Sequence, residues 1–133
     1  MQFHDFLGQV QHRAKMASLD EALRATRVTL ETLAERLGGR EPENLGAQLP
    51  EEIAIFLKRE GSTAAERFSS DEFLRRVSER EGVDLPVSVY HVRVVLEVLQ
   101  EAVSPGEIND VLDQLPPDYR RLFAGSQGEM PSA

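Results

Sequence analysis

Residues 27–57 read RVTLETLAERLGGREPENLGAQLPEEIAIFL, and residues 93–123 read RVVLEVLQEAVSPGEINDVLDQLPPDYRRLF. The two stretches align without a gap when the first is shifted by 66 positions. Self-similarity at a fixed period indicates an internal structural repeat, so this pair of stretches decides the fold. The identical pairs include Arg27 with Arg93, Leu30 with Leu96, Glu31 with Glu97, Glu41 with Glu107 and Gln48 with Gln114.

The similarity continues upstream of both stretches. A shift of 67 positions pairs Phe6-Leu7 with Phe73-Leu74, so one residue is gained or lost in the loop around 16–20. Loops tolerate such changes because they run over the surface. We therefore predict a single domain with repeat one at 3–59, a linker at 60–68, repeat two at 69–124 and a flexible tail at 125–133.

Apolar periodicity and capping residues predict four helices in repeat one. Ser18 followed by Glu21 is typical of a capping box, in which each side chain binds a free backbone amide. The long helix that follows carries apolar residues at alternating steps of four and three, and Gly38-Gly39 should end it. The predicted helices run over His4–Lys15, from after Ser18 to Leu37, over Glu43–Gln48 and from Pro50 to about Arg59. The residues of the predicted seam are Leu19, Leu23, Thr26, Leu30, Leu33 and Leu37.

Repeat two shows the same signals. Ser69 with Glu72 indicates a capping box, and Phe68 can pack on Phe73 as a hydrophobic staple. Gly82 should end this helix, because glycine adopts the left-handed conformation without a steric cost. Asp84 is the predicted N-cap of the next helix, and Ser104 with Glu107 forms the predicted capping box of the helix after it. The last helix should begin at Leu115-Pro116-Pro117-Asp118. The seam of the second long helix is Leu85, Val89, Val92, Leu96, Leu99 and Val103. The fold class is therefore all-α, with about eight helices in two pseudo-symmetric four-helix repeats packed as one bundle.

Composition excludes several classes of protein. The chain of 133 residues has no cysteine, which excludes disulfides, thiolate metal sites and cysteine nucleophiles. A net charge of −8 argues against a general nucleic-acid binder, which needs positive charge near phosphates. No apolar run approaches the roughly 20 residues of a membrane span, and the N-terminus does not match a secretory signal. We expect a cytoplasmic protein that binds neither nucleic acid nor membrane.

The second long helix is apolar on the side opposite its seam as well. Val87, Val94 and Val98 lie there, whereas the first long helix has the more polar Val28, Thr29 and Thr32. A helix that is apolar nearly all round is usually buried on several sides. Two interpretations remain open: the helix lies at the centre of the bundle, or Val87, Val94 and Val98 form a patch that contacts a protein partner or a second copy.

No group of residues in the sequence matches a catalytic or metal-binding pattern. His4, His12 and His91 lack the spacing of zinc or di-iron ligands, and we interpret them as surface or cap histidines. Glu51-Glu52 is explained by the dipole at a helix N-terminus. We therefore predict no catalytic residue, no metal site, no cofactor and no enzymatic activity.

Two matched polar pairs have structural explanations. Gln48 and Gln114 each precede Leu-Pro, where the side-chain amide can bind backbone groups left free at the turn. Each of Arg27 and Arg93 lies one turn before a matched glutamate, Glu31 or Glu97. We interpret both as ion pairs on solvated helix faces.

These residues resemble the bacterial family catalogued as domain of unknown function 2267. The resemblance rests on three motifs present in both repeats, together with the segment from Asp118 to Phe123, and it covers about 3–123. The motifs are Asp5-Phe6-Leu7 with Glu72-Phe73-Leu74, the Leu-Glu-x-Leu stretches at 30–33 and 96–99, and Gln-Leu-Pro at 48–50 and 114–116. The resemblance implies an all-helical tandem repeat in the bacterial cytoplasm, and it brings no established activity or catalytic residue.

The first hypothesis for function is a non-catalytic protein-interaction or assembly module that binds a protein partner or forms a homodimer. The alternative is a carrier or sensor that holds a small apolar ligand between the helical repeats, as helix bundles often do. An enzyme ranks last, because no group of residues suggests a reaction.

Overall fold

The computed structural model describes residues 1–58 and 64–124, and within these ranges the backbone forms helices and no strand. The all-α prediction is confirmed. Part of the predicted linker, 60–63, and the predicted tail at 125–133 lie outside the described residues. The helices are α1 (Phe3–Arg13), α2 (Leu19–Arg36), α3 (Glu41–Gly46), α4 (Glu51–Ala54) with a 3-10 turn (Ile55–Leu57), α5 (Ser70–Glu81), α6 (Leu85–Ala102), α7 (Pro105–Asp113) and a final 3-10 segment (Pro117–Ala124).

Local capping signals place the helix starts correctly, although some side chains bind elsewhere. Ser18 Oγ accepts from the Glu21 N–H, and the Glu21 carboxylate accepts from the Ser18 N–H, so this capping box is confirmed. Ser69 Oγ likewise accepts from the Glu72 N–H, but the Glu72 carboxylate binds Arg75 and Arg76. At α6 the capping position is Asp84, as predicted, yet its side chain makes no capping hydrogen bond.

The two ends of α5 also lie where the predicted hydrophobic staple and the predicted terminating glycine place them. The rings of Phe68 and Phe73 stack with their centroids 6.4 Å apart, as the predicted staple requires. Gly82 follows α5 with φ of +77°, in the left-handed region that glycine enters most easily. The sequence therefore marks both ends of α5.

The short helices differ from their prediction. The helix expected from Pro50 to Arg59 is α4 followed by one 3-10 turn, and Lys58 is already extended. The final segment is also 3-10. Proline provides no backbone amide, and such short segments gain few α-helical hydrogen bonds, so the tighter turn competes well. The third helix begins at Glu41, two residues earlier than predicted, with Pro42 in its first turn.

Four helices build the core, and the two long ones contact each other. Helix α1 packs on α2 and α6, and α5 packs on α6 and α2. Most seam residues are buried, but Leu19 and Leu85 are 47% and 49% exposed. Leu19 and Leu85 are the first residues of α2 and α6. The buried face of each helix therefore begins after the first residue of its predicted seam.

Polar contacts connect distant parts of the chain around this core. The Phe68 carbonyl accepts from Arg36 Nε at 2.8 Å and from the Tyr119 hydroxyl at 2.7 Å. The Arg13 guanidinium of α1 donates to Glu97 and Glu101 on α6, and that of Arg80 on α5 donates to Glu35 on α2. The predicted Arg27–Glu31 ion pair is present at 3.2 Å on an exposed face.

Candidate functional site

The structure buries most of the predicted partner-facing patch. Val94 and Val98 have no exposed surface, because α6 is packed against α1, α2 and α5. A patch made by these two residues on the surface is therefore wrong, and the central position of α6 is the interpretation that fits. Val87 differs, since it lies in the first turn of α6 and is 38% exposed.

Val87 belongs to an exposed apolar segment at the start of α6. Leu85, Pro86 and Val87 are consecutive and all exposed, and we call them the α6 tip. The corresponding first turn of α2 has Leu19 exposed as well, but Asp20 and Glu21 follow it. The first turns of α6 and α2 are thus similarly exposed but differ in chemistry. The first turn of α6 is apolar, whereas that of α2 is mainly charged.

The surface hollows are lined mainly by charged and polar side chains. The largest that is described, about 640 Å³, lies where α2 meets α5. Arg76 and Arg80 donate to the Glu35 carboxylate there, and the Arg76 guanidinium lies 4.0 Å from the centre of the Phe68 ring. Its lining residues include Glu31, Glu35, Phe56, Glu66, Arg76 and Arg80. These ion pairs lie at the contact between the helices, and most of the described lining of the hollow is charged.

One histidine does not fit its prediction. His91 is half-buried on α6, and its Nδ1 contacts the carboxylate of Glu81, which is buried at the end of α5. His91 is therefore not a surface or cap histidine, because the packing of α5 on α6 encloses it. Neither His91 nor Glu81 lines any of the described hollows, so a molecule bound in one of those hollows would not contact the pair.

A different group of carboxylates converges where α3 meets α7. One ligand oxygen from each of Glu41, Glu107 and Asp110 lies within 4.8 Å of the others. The side chains come from the first turn of α3 and from successive turns of α7. Glu41 and Glu107 are 7% and 8% exposed, whereas Asp110 is exposed. Three acidic groups therefore converge at one corner, and Asp110 is its exposed member.

The charge in this corner is not compensated by basic side chains of the described residues. None of their ion pairs involves Glu41, Glu107 or Asp110. Glu41 Oε1 and Glu107 Oε2 are buried and accept no hydrogen bond from a third group there, although the two carboxyls can bond each other when one of them is protonated. Burial raises the pKa of Glu41 to about 7, and the neighbouring Glu107 and Asp110 carboxylates add to the rise. The arrangement therefore favours whatever neutralises it, either a proton or a cation.

Gln48 and Gln114 fix the helix starts on either side of this corner. Gln48 Oε1 accepts from the Ser104 N–H at 2.7 Å, just before α7, and Gln114 Oε1 accepts from the Gly38 N–H at 3.2 Å, before α3. Both side-chain amides bind backbone groups, as predicted. These groups are 56 and 76 positions away in the sequence, however, and do not belong to the local turn. The two donors are themselves 66 positions apart, which is the spacing of the two glutamines.

Sequence reasoning missed the carboxylate corner although it paired Glu41 with Glu107. Glu107 follows Ser104 by three residues, and the capping-box pattern explained it locally. The Ser104 hydroxyl does accept from the Glu107 N–H, but the Ser104 N–H donates to Gln48, so the Glu107 carboxylate is left free to face Glu41. An identical acidic residue in both of the aligned stretches was the available signal, and only the tertiary contact shows that the two meet.

The chain matches the model of one protein family, and it matches no curated protein. A family model described as an uncharacterised conserved protein (DUF2267) matches residues 3–122. No curated protein matches the chain. Among the described helices, none combines the length and the apolar character needed to cross a bilayer.

Proposed function

We propose that this chain, which belongs to the DUF2267 family of uncharacterised conserved proteins, is a non-catalytic module that binds a protein partner through the α6 tip. The observation that carries the proposal is the exposure of three consecutive apolar residues, Leu85, Pro86 and Val87. Exposed apolar residues that lie together favour contact with another surface, whereas isolated ones are ordinary.

The apolar character of the α6 tip is not a general requirement of a helix start in this fold. The core side of α6 is formed by residues further along the helix, among them Val92 and Leu96, which are buried. The equivalent start of α2 folds with Asp20 and Glu21 after its exposed leucine, so a helix start of this kind does not require apolar residues. A partner with an apolar pocket would cover the tip, and Pro86 in the first turn keeps it rigid.

The test compares the α6 tip with Leu19. A photo-reactive amino acid at Val87 should crosslink a specific protein in the native host, while the same group at Leu19 should not. The identified partner, once purified, should bind Leu85→Ser and Val87→Ser at least about tenfold more weakly, as expected for anchor residues. Leu19→Ser is the matched control, because its side chain is as exposed as that of Leu85.

Two results would contradict the proposal. Equal crosslinking at Val87 and Leu19 would show that exposure alone explains the signal. Unchanged affinity of both tip variants for the partner would remove the tip from the interface. Crosslinks between copies in the purified protein would identify the partner as a second copy of this chain. All three variants should unfold within about 0.5 kcal/mol of the wild type, since exposed substitutions rarely change stability by more.

The alternative of an apolar-ligand carrier has less support. The described hollows are lined by groups such as Glu35, Arg76, Lys15 and Asp113, which suit polar contacts. The absence of catalysis, the cytoplasmic location and the lack of nucleic-acid binding remain parts of this proposal. Activity screens, cell fractionation and a nucleic-acid binding assay, respectively, would test them.

A further inference from the structure

We propose that Glu41, Glu107 and Asp110 form a binding site for a hard divalent cation that joins α3 to α7. This site is separate from the α6 tip and does not depend on the partner proposed above. Its ligands come from two helices that the chain connects through more than fifty residues. A bound cation would therefore bridge two distant parts of the sequence.

Geometry and burial together support the site. The three candidate ligand oxygens lie within 4.8 Å of one another, a separation that a single ion placed between them can span. A surface group of acids would be hydrated, but Glu41 and Glu107 are more than nine-tenths buried. Each also has a buried oxygen, Oε1 of Glu41 and Oε2 of Glu107, that accepts no hydrogen bond from any other group of the described residues, so only a proton shared by the two carboxyls or a bound cation would satisfy them. Buried carboxylate oxygens are costly unless something binds them.

No basic side chain within residues 1–58 and 64–124 forms an ion pair with the acids of this corner. Arg40 precedes Glu41 but is exposed and makes no ion pair with any of the three acids. Other buried or half-buried acids do receive a basic partner: Glu81 contacts His91, and Glu35 binds Arg76 and Arg80. The corner is thus the place in the described chain where buried acids converge without a counter-charge.

The site is also held in place by a second layer of contacts. Ser104 Oγ and Gln48 Oε1 bind the backbone at the start of α7, and Gln114 Oε1 binds Gly38 before α3. Such contacts fix the positions of the first ligands and reduce the ordering needed when an ion binds. Asp110 is exposed and gives an ion a route from solvent.

The ligand chemistry selects the class of ion. All three groups are carboxylates, and no histidine or cysteine belongs to the cluster. Oxygen ligands suit Mg²⁺, Ca²⁺ and Mn²⁺, whereas zinc and copper sites usually include nitrogen or sulfur. Three protein ligands leave coordination positions for water, which Mg²⁺ and Mn²⁺ commonly retain.

Isothermal titration of the full chain with Mg²⁺, Ca²⁺ and Mn²⁺ in turn, after treatment with a chelator, tests the proposal. At least one ion should bind at one saturable site, and Glu107→Gln and Asp110→Asn should each weaken it tenfold or more. Glu43→Gln is the matched control, because it removes one exposed carboxylate from the same helix as Glu41. Its affinity should remain within about twofold of the wild type.

The location can be checked with Mn²⁺, whose unpaired electrons broaden nearby NMR signals. Residues of α3 and α7 should broaden first. No saturable binding of any of the three ions would overturn the proposal and leave a shared proton as the explanation of the buried pair. Equal weakening by all three variants would also overturn it, since that result indicates diffuse counter-ion attraction. Asp110 is exposed, so Asp110→Asn should fold even if Glu107→Gln does not.

Discussion

Two places in this protein bring pairs of glutamates together, and they differ in how the negative charge is compensated. On α6, Glu97 and Glu101 are both bound by the guanidinium of Arg13 from α1, at 2.8 and 2.6 Å. Between α3 and α7, Glu41 and Glu107 face each other without a basic partner among the described residues. The first pair is half-exposed or exposed, whereas the second is buried.

The difference shows that burial and charge compensation do not go together here. The better hydrated pair receives the arginine, although water still reaches both of its carboxylates. The buried pair, in which burial raises the pKa of Glu41, has none among the described residues. The buried pair is therefore the one of the two that an added cation would neutralise.

The largest expected effect comes from removing the cation of the compensated pair. Arg13→Gln should lower the free energy of unfolding by about 2 kcal/mol, because hydrogen bonds to charged groups contribute more than neutral ones. It leaves Glu97 and Glu101 without their shared guanidinium. Urea denaturation monitored by circular dichroism measures the change. Arg27→Gln is the control, since Arg27 pairs with Glu31 on an exposed face and should cost about 0.3 kcal/mol. Equal losses in the two variants would contradict the special role of Arg13.

The pH dependence of the same variant sharpens the comparison. The hydrogen bond from Arg13 holds the pKa of Glu101 below its ordinary value of 4.5. Because the folded-state pKa is lowered, this stabilisation is fully present above the ordinary value and is lost as the pH falls through the folded value. The difference in unfolding free energy between wild type and Arg13→Gln should therefore be constant near neutrality and shrink below about pH 4.5. Thermal melts from pH 7 to pH 3 measure it, and a difference that does not decrease at all between pH 4.5 and pH 3 would contradict this explanation.

The uncompensated pair should respond in the opposite direction. With a chelator present at pH 8, Glu107→Gln should raise the free energy of unfolding by about 1 kcal/mol, since it removes a buried like charge and adds an amide donor that can reach Glu41. Glu43→Gln should change it by less than about 0.5 kcal/mol, as an exposed residue of the same helix. A loss of stability in Glu107→Gln would mean that the Glu107 carboxylate makes a favourable contact of its own.

Local signals predicted much of the fold, and long-range contacts explain what they missed. Ser18 with Glu21 and Gly82 mark helix ends through bonds made within a few residues, so the sequence alone suffices there. The apolar back of α6 indicated either burial or a partner, and only the packing of α1, α2 and α5 around it decides that Val94 and Val98 are core. Glu107 looked like a capping residue because its partner, Glu41, is 66 positions away.

The smallest predicted effect concerns the two glutamines that hold the helix starts beside the buried pair. Gln48→Ala and Gln114→Ala should each lower the free energy of unfolding by about 0.5 kcal/mol, because both hydrogen bonds are exposed and water can replace them. The Gln48 loss should be the larger, since its bond to the Ser104 amide is 2.7 Å long against 3.2 Å for the bond from Gly38. Gln2→Ala, at an exposed residue that makes no capping bond, is the control. If both variants match this control in urea denaturation, the glutamines do not fix α3 and α7, and the buried pair must be held by packing alone.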